Sequence, residues 1–251
     1  MQKRDCNSKA AIYKKRVRKR RKNLKRGLWW CALTTVITAM LIVGGVFIIG
    51  LFNPSVYDNG FVPSPFGSNI SKKVKKAKEL QLPDWIDVQL IHKHTTARTG
   101  FYLNDIKNIV IHYVGNPDTT AQNNRNYFDK VDTTVSSHFV VGLEGEVIQC
   151  VPLYERSAAS NYRNKDTISI EVCHPDETGK FNNETYKTLV NLTAYLCNNF
   201  SLDENDVIRH YDITEKICPK YYVENQDDWE LFKKDVEEKI NEYKEQNRSF
   251  F

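Results

Sequence analysis

The six cysteines of this 251-residue chain include no CxxC pair and no short, dense cluster. Small domains held together by disulfides show such clusters, so the spacing does not predict a disulfide framework. One bridge among Cys150, Cys173 and Cys197 stays open if the folded part lies outside the cell. The sequence also lacks an internal repeat, and the roughly 170 residues after the last linker-like stretch suffice for one domain with a real core.

Positive charge is scarce outside the N-terminal tail. Residues 1–26 contain thirteen Lys or Arg and one acidic residue, Asp5, whereas the rest of the chain has 23 basic and 30 acidic residues, a net charge of −7. Proteins that bind nucleic acid carry a basic patch on the fold itself. The overall net charge of +5 therefore belongs to the tail, and no nucleic-acid partner is predicted.

Charged residues are absent from Gly27 to Tyr57, and LWWCALTTVITAMLIVGGVFIIGLF at residues 28–52 is mostly apolar. Twenty-five such residues suffice to cross a membrane as a helix. A cleaved signal peptide is the alternative, but the run is too long and no clear cleavage site follows it. We therefore predict a retained transmembrane helix over residues 27–52.

The basic tail at residues 1–26 directly precedes this span. Positive residues stay on the cytoplasmic side, so a single-pass cell-membrane protein with a cytoplasmic N-terminus and an extracellular domain is predicted. A nuclear-targeting or nucleic-acid patch is the alternative interpretation of the tail. Its position beside a membrane span favours the topological interpretation.

Residues 53–80 are predicted to be an extracytoplasmic linker, and residues 81–251 the folded domain. The first part of the linker is rich in Pro, Gly, Ser and Asn. KKVKKAK at 72–78 could begin a short helix or contact an anionic polymer, but a solvated charge run is favoured.

The domain alternates between strand-like and helix-like runs. The strands are predicted at 108–115, 137–143, 146–152, 167–174 and 206–212, and the helices at 119–131, 182–200 and 226–246. Leu143 to Glu146 are predicted to form a hairpin turn. This order predicts an α/β fold with a mixed central β-sheet flanked by helices.

A histidine and a cysteine, His210 and Cys218, lie eight positions apart in VIRHYDITEKICPK. The strand end at Val207 and Ile208 is followed by a predicted loop, which could turn both side chains to one point. Two ligands are too few for a firm zinc site, and His112 in NIVIHYVG offers a third. Three protein ligands would leave a fourth position for water, as in catalytic zinc sites.

Strand alternation in TISIEVCH places Ser169, Glu171 and Cys173 on one face. A carboxylate in the middle of an apolar strand is costly to bury unless it is paired, protonated or functional. Beside a metal and its water, a glutamate with a raised pKa would be a good general base.

Four segments occur in a recognisable order: IHYVGNPDTTAQNNRNYF, SSHFVVGLEGEVIQCVP, SIEVCHPDETGKF and VIRHYDITEKICPKYYVEN. They resemble the N-acetylmuramoyl-L-alanine amidases of the type-2 amidase and peptidoglycan-recognition-protein superfamily, in the version typical of Gram-positive bacteria. The resemblance extends over roughly residues 82–245. It implies a zinc hydrolase that cleaves the amide between N-acetylmuramic acid and L-alanine in peptidoglycan, a cell-wall substrate.

The resemblance also implies residue roles. His112, His210 and Cys218 match the zinc ligands, Glu171 the catalytic glutamate, and Lys216 a lysine that helps to stabilise the oxyanion.

A loop that lines the substrate groove in relatives is matched by residues 157–161 and Arg163, so Ser160, Asn161 and Arg163 are predicted to bind substrate. Ser137 stands where some relatives have a catalytic tyrosine, and His138 is interpreted as structural rather than as a ligand. Two alternatives stay open: a non-catalytic peptidoglycan-binding module and a membrane-anchored scaffold. The presence of Cys218 argues against the first.

Overall fold

The computed structural model describes residues 70–93 and 95–249, with side chains as far as residue 246. The predicted cytoplasmic tail, the predicted transmembrane helix and most of the predicted linker lie outside these residues. Within the described ranges, no helix combines the length and the apolar character that crossing a membrane requires.

Six strands form one mixed sheet in the order β1-β4-β3-β5-β2-β6. The strands are β1 Ile86–Val88, β2 Asn108–Tyr113, β3 Phe139–Val141, β4 Val147–Gln149, β5 Thr167–Val172 and β6 Val207–Arg209. β3 and β4 pair antiparallel, whereas the other neighbours pair parallel. The predicted mixed α/β fold is confirmed, although β3, β4 and β6 are shorter than their apolar runs.

The hairpin turn between β3 and β4 is confirmed. The Gly142 amide donates a hydrogen bond to the Glu146 carbonyl, 2.8 Å away. Gly145 adopts φ +82°, and a Cβ there would lie 2.8 Å from Thr188 Oγ1. Both observations favour glycine at the turn, because a side chain would be strained and crowded.

Helices cover both faces of this sheet. They are α1 Lys72–Glu79, α2 Ala121–Phe128, α3 Asn183–Phe200, α4 Tyr211–Thr214, α5 Lys220–Glu224 and α6 Gln226–Ser249. α3 and α6 pack together over the larger core, which includes Ile109 and Ile170 of the central strands. α2 packs over a smaller cluster on the opposite face, with Phe128 against β3 and β4.

α1 lies within the stretch predicted as linker. The Ser71 hydroxyl caps its first turn by accepting from the Val74 amide at 3.3 Å. Val74 and Ala77 are buried in the larger core, while the lysines between them face outward. The folded part therefore reaches back to residue 72, ahead of the predicted boundary at 81, because two apolar residues three positions apart form one buried helix face.

The sheet topology gathers three chain segments at one edge. β2 lies between β5 and β6 and is parallel to both. His112 near the end of β2 is in register with Glu171 near the end of β5, and His210 directly follows β6. Because the carboxyl ends of parallel strands meet at the same edge, these three side chains are brought close together.

Candidate metal centre

The alternation predicted for β2 and β5 is confirmed. Ile109 and Ile111 point into the larger core, while His112 lies on the opposite face and is only 1% exposed. On β5, Ile168 and Ile170 also belong to the larger core. A one-residue change of register would move His112 to the wrong face, so the apolar alternation fixes the position of the site.

His112, His210 and Cys218 form a compact cluster. One donor atom from each residue lies within 4.8 Å of the others, and all three residues are buried. The Cys218 Sγ is 3.9 Å from His112 Nδ1, and the two imidazole centroids are 4.7 Å apart. The structure therefore brings together the three residues that were predicted to be ligands.

The segment from His210 to Cys218 is closed by backbone hydrogen bonds. The Tyr211 amide donates to the Cys218 carbonyl at 3.0 Å, so the segment returns to its starting point. Residues 212–219 were predicted to be loop throughout, but Tyr211–Thr214 form one helical turn. The Asp212 carboxylate stabilises this turn by accepting from the Arg209 amide at 2.8 Å and from its guanidinium at 2.9 Å.

The donor set fits a zinc ion. Among the residues that the structure describes, none is a hydrogen-bond partner of buried His210 Nδ1, as expected for an atom that binds a metal. Burial lowers the pKa of His210 to about 4, and repulsion from the positive charge of Lys216 adds to this effect. Burial also holds the pKa of His112 well below its ordinary value, with further contributions from His210 and Lys216. Both rings are therefore neutral near pH 7, and two imidazoles with one sulfur ligand are typical of zinc sites with an open fourth position.

Glu171 lies beside the cluster. Its Oε1 is 4.0 Å from His112 Nδ1, and its buried Oε2 has no hydrogen-bond partner in the described ranges. Burial raises the pKa of Glu171 to about 8, although the positive charge of Lys216 opposes the rise. The carboxyl group thus lies next to the convergence point, with one oxygen uncommitted.

Lys216 lies on the same return segment, and its side chain is exposed. Burial of each group is the largest cause of the shifted pKa values of His112, His210, Glu171 and Cys218. The positive charge of Lys216 further lowers the pKa values of the two histidines and opposes the rise in the pKa values of the other two groups. An electrostatic effect on all four groups means that the ammonium group is near the cluster. Burial, followed by the nearby Glu171 charge, raises the pKa of Cys218 to about 12, so a bound cation is needed to form its thiolate near neutral pH.

The three residues predicted to bind substrate separate into two groups. Asn161 Oδ1 is 2.7 Å from His210 Nε2, and the Ser160 hydroxyl is 3.4 Å from His112 Nε2. Arg163 instead pairs with Asp166 at 2.7 Å and with Asn108, at the beginning of β2, at 2.5 Å. The structure therefore brings Ser160 and Asn161 to the cluster and holds Arg163 at the opposite end of the strand.

His138 is completely buried and directly precedes β3. Its Nδ1 accepts from the Ser169 amide at 3.0 Å, and its Nε2 donates to the Glu155 carbonyl at 2.9 Å. Both nitrogens are therefore used in linking β5 to the segment after β4, which is a structural role. The nearby Ser137 hydroxyl donates to the Ser169 carbonyl at 2.9 Å.

A cavity of about 380 Å³ adjoins the cluster. Its walls come from residues 96–99 and from the segment 156–165, and Asn161 belongs to both the cavity and the cluster. The four cysteines in the described part, including Cys150, Cys173 and Cys197, are free and buried.

The fold and the site together define an α/β domain with a candidate metal centre at the carboxyl edge of its sheet. Residues 102–221, which contain the cluster, match the family described as N-acetylmuramoyl-L-alanine amidase, Amidase_2. The chain therefore resembles the type-2 amidases over these 120 residues, a little under half of its length.

Two relatives illustrate this similarity. The chain is 34% identical over 172 residues to the N-acetylmuramoyl-L-alanine amidase BlyA of Bacillus subtilis (strain 168). The matched region covers 60% of this chain and 46% of the relative. It is 30% identical over 158 residues to the N-acetylmuramoyl-L-alanine amidase CwlL of Bacillus licheniformis, and this match covers 56% of this chain and 43% of the relative. The chain thus spans less than half the length of either relative.

Solved structures share the fold. The catalytic domain of XlyA superposes with a TM-score of 0.54 at 24% identity, covering 60% of this chain and 98% of that domain. PlyL superposes with a TM-score of 0.54 at 23% identity, and the superposition covers 61% of this chain and 96% of PlyL. At these identities the likeness concerns the architecture of the sheet and its helices.

Proposed function

We propose that this domain hydrolyses the amide between N-acetylmuramic acid and L-alanine in peptidoglycan, with Zn²⁺ as its cofactor. One observation carries the proposal: the donor atoms of His112, His210 and Cys218 converge within 4.8 Å beside Glu171, inside the segment that matches the amidase family. The names of BlyA and CwlL supply the reaction and the substrate.

The three clustered residues would hold the metal, and among the residues that the structure describes this cluster includes no fourth ligand. Zinc bound there would polarise the scissile carbonyl and make a water molecule more acidic.

Glu171 is proposed as the general base and then the general acid. Its carboxylate takes the proton of the attacking water and later passes it to the leaving amine. Burial raises its pKa to about 8, and a nearby dication would lower that value toward neutrality. A group whose pKa lies near the working pH can both accept and release a proton efficiently.

Lys216 is proposed to stabilise the negative charge that develops on the carbonyl oxygen. Its ammonium group is on the return segment, where its charge reaches Glu171 and both histidines. An exposed lysine is free to move toward the oxyanion as the substrate enters, so its charge would act in the transition state.

The cavity beside Asn161 is proposed to receive part of the muramyl peptide. Its lining includes several polar side chains and Asn161 joins it to the cluster, so a bound muramyl peptide would lie beside the metal-binding residues. Ser160 and Asn161 lie where the cavity meets the cluster. Arg163 would instead stabilise the same segment through its hydrogen bonds to Asp166 and Asn108.

We also propose that the uncharged span at residues 28–52 anchors the protein in the cell membrane, with the amidase domain outside, where peptidoglycan is found. A periplasmic-type phosphatase fused after Phe251 should be active, and a fluorescent protein that folds only in the cytoplasm should be dark. The opposite pattern would contradict this topology.

The proposed function is tested with the full chain in detergent. Zinc should be present at one ion per chain by elemental analysis, and incubation with purified cell walls should release new amino termini. Removal of the metal with a chelator should stop the release, and added zinc should restore it. Binding to walls without cleavage would support a peptidoglycan-binding module instead, and the absence of both binding and cleavage would support a scaffold.

A further inference from the structure

We propose that Asn161 is a positioning residue that fixes the tautomer of His210, so that His210 presents Nδ1 to the metal. The Asn161 side-chain oxygen accepts from His210 Nε2 at 2.7 Å. An accepting partner at Nε2 holds the ring proton there and leaves a lone pair on Nδ1. The inference rests on the metal site of the proposed function and adds to it the residue that orients one ligand.

The other nitrogen of the ring supports this assignment. Within the described part of the chain, buried His210 Nδ1 has no hydrogen-bond partner. If Nδ1 carried the proton, a buried N–H would be left without an acceptor, which is unfavourable. With the proton on Nε2, the unpartnered atom is instead a lone pair on a ring that clusters with the His112 and Cys218 donor atoms.

The segment that carries Asn161 is itself held in place. Asn164 Oδ1 accepts from the backbone amides of Ala159 at 3.1 Å and Ser160 at 2.6 Å. Asn161 begins a short 3₁₀ helix and adopts φ +54°, a left-handed conformation that asparagine tolerates better than most residues. The amide is therefore presented to His210 by a fixed backbone.

The neighbouring residue makes a weaker contact of the same kind. The Ser160 hydroxyl is 3.4 Å from His112 Nε2, while His112 Nδ1 faces Cys218 Sγ at 3.9 Å. Two consecutive residues thus contact the Nε2 atoms of both rings, while Nδ1 of His112 faces the sulfur. Partners of this kind orient metal-binding histidines, and their loss typically costs 10–100-fold in metal affinity.

The left-handed backbone determines which variants test the inference. Asn161→Gly removes the amide without straining this conformation, whereas alanine would add strain. Asn161→Asp keeps an accepting oxygen and also tolerates the conformation. Ser201→Gly is a matched control, because Ser201 has φ +51° and caps α3, which contributes nothing to the cluster.

The first readout is the tautomer of His210 in metal-free full chain at neutral pH. Two-bond ¹⁵N–¹H spectra of protein labelled at histidine report which nitrogen carries the proton, and a His210→Asn sample assigns the signal. We expect the proton on Nε2 in the unchanged chain and in Asn161→Asp, and a mixture of tautomers in Asn161→Gly. A proton on Nδ1 in the unchanged chain would overturn the proposal.

The second readout is zinc affinity, measured by competition with a chromophoric chelator. Asn161→Gly should bind zinc about 10–100-fold more weakly, while Asn161→Asp and Ser201→Gly should remain within a few-fold of the unchanged chain. Equal affinity in Asn161→Gly would refute the positioning role. If the unchanged chain binds no zinc, the proposed function fails, and the tautomer of His210 still decides the role of Asn161.

Discussion

Replacing His138 with glutamine should change how the stability of the domain depends on pH. His138 is fully buried, and its ring accepts a hydrogen bond at Nδ1 from the Ser169 amide and donates one at Nε2 to the Glu155 carbonyl. This arrangement uses the neutral ring, because a second ring proton would point at an amide hydrogen. Burial lowers the pKa of His138 from 6.5 to about 4.

The sign and size of the effect follow from this pKa. Between pH 6.5 and 4 the unfolded chain binds a proton that the folded chain does not, so the stability of the folded state falls as the pH falls. Each pKa unit corresponds to about 1.36 kcal/mol. From pH 6.5 to 4.5 the His138 contribution should therefore decrease by about 2–3 kcal/mol.

The assay is urea unfolding of the zinc-free full chain in detergent, at pH 7.0 and pH 4.5, for the unchanged protein and for His138→Gln. At pH 7.0 the variant should be less stable, since glutamine does not reproduce both hydrogen bonds. On going to pH 4.5, the difference in the free energy of unfolding should move by about 2–3 kcal/mol in favour of the variant, so that it shrinks or reverses. Glu171 and His210 titrate in both proteins, so their effects cancel in the comparison. A difference that is the same at both pH values would refute the reasoning.

Three further predictions concern the metal, the oxyanion and the core. Cys218→Ala should lose most of its zinc and nearly all activity, as measured by elemental analysis and release of amino termini; full zinc occupancy would remove Cys218 from the ligand set. Lys216→Ala should keep its zinc but lose about 3–4 kcal/mol of transition-state stabilisation in kcat, and an unchanged kcat would exclude the oxyanion role. Phe232 on α6 is 1% exposed and stacks on Trp229 with ring centroids 5.3 Å apart. Phe232→Ala should lower the free energy of unfolding by about 3–5 kcal/mol, and a loss below about 1 kcal/mol would contradict its place in the core.

The central strands could be predicted from the sequence because their physical signal is local. β2 is marked by the buried apolar run IVI at 109–111, and β5 by the alternation of isoleucine and valine with polar residues over 167–172. α3 was predicted from its helical spacing, and one face of this helix is buried.

Other elements depend on contacts that are distant in sequence. β1 has one buried residue, Ile86, and becomes a strand because it pairs with β4 at the edge of the sheet. α1 is rich in lysine, and only Val74 and Ala77 indicate its buried face. Such elements are stabilised by packing against the rest of the domain rather than by their own composition.

The candidate site was predictable to different degrees. His112, His210 and Cys218 could be grouped because parallel strands and a short return segment bring their ends together. The contact between Asn161 and His210 depends on a left-handed backbone and on a loop held by Asn164, neither of which leaves a pattern in the sequence. The resemblance to amidases indicated the importance of this segment but not which side chains reach the cluster.

Glu171→Gln provides the most direct test of the proposed division between metal and base. Glutamine keeps the size of the side chain but cannot accept the proton, and Glu171 is not among the three clustered donors. The variant should retain the fold and one zinc per chain, bind cell walls normally, and release new amino termini about 10²–10⁴-fold more slowly. Loss of zinc in Glu171→Gln would make the residue a ligand or a fold element, and near-normal turnover would mean that another group is the base.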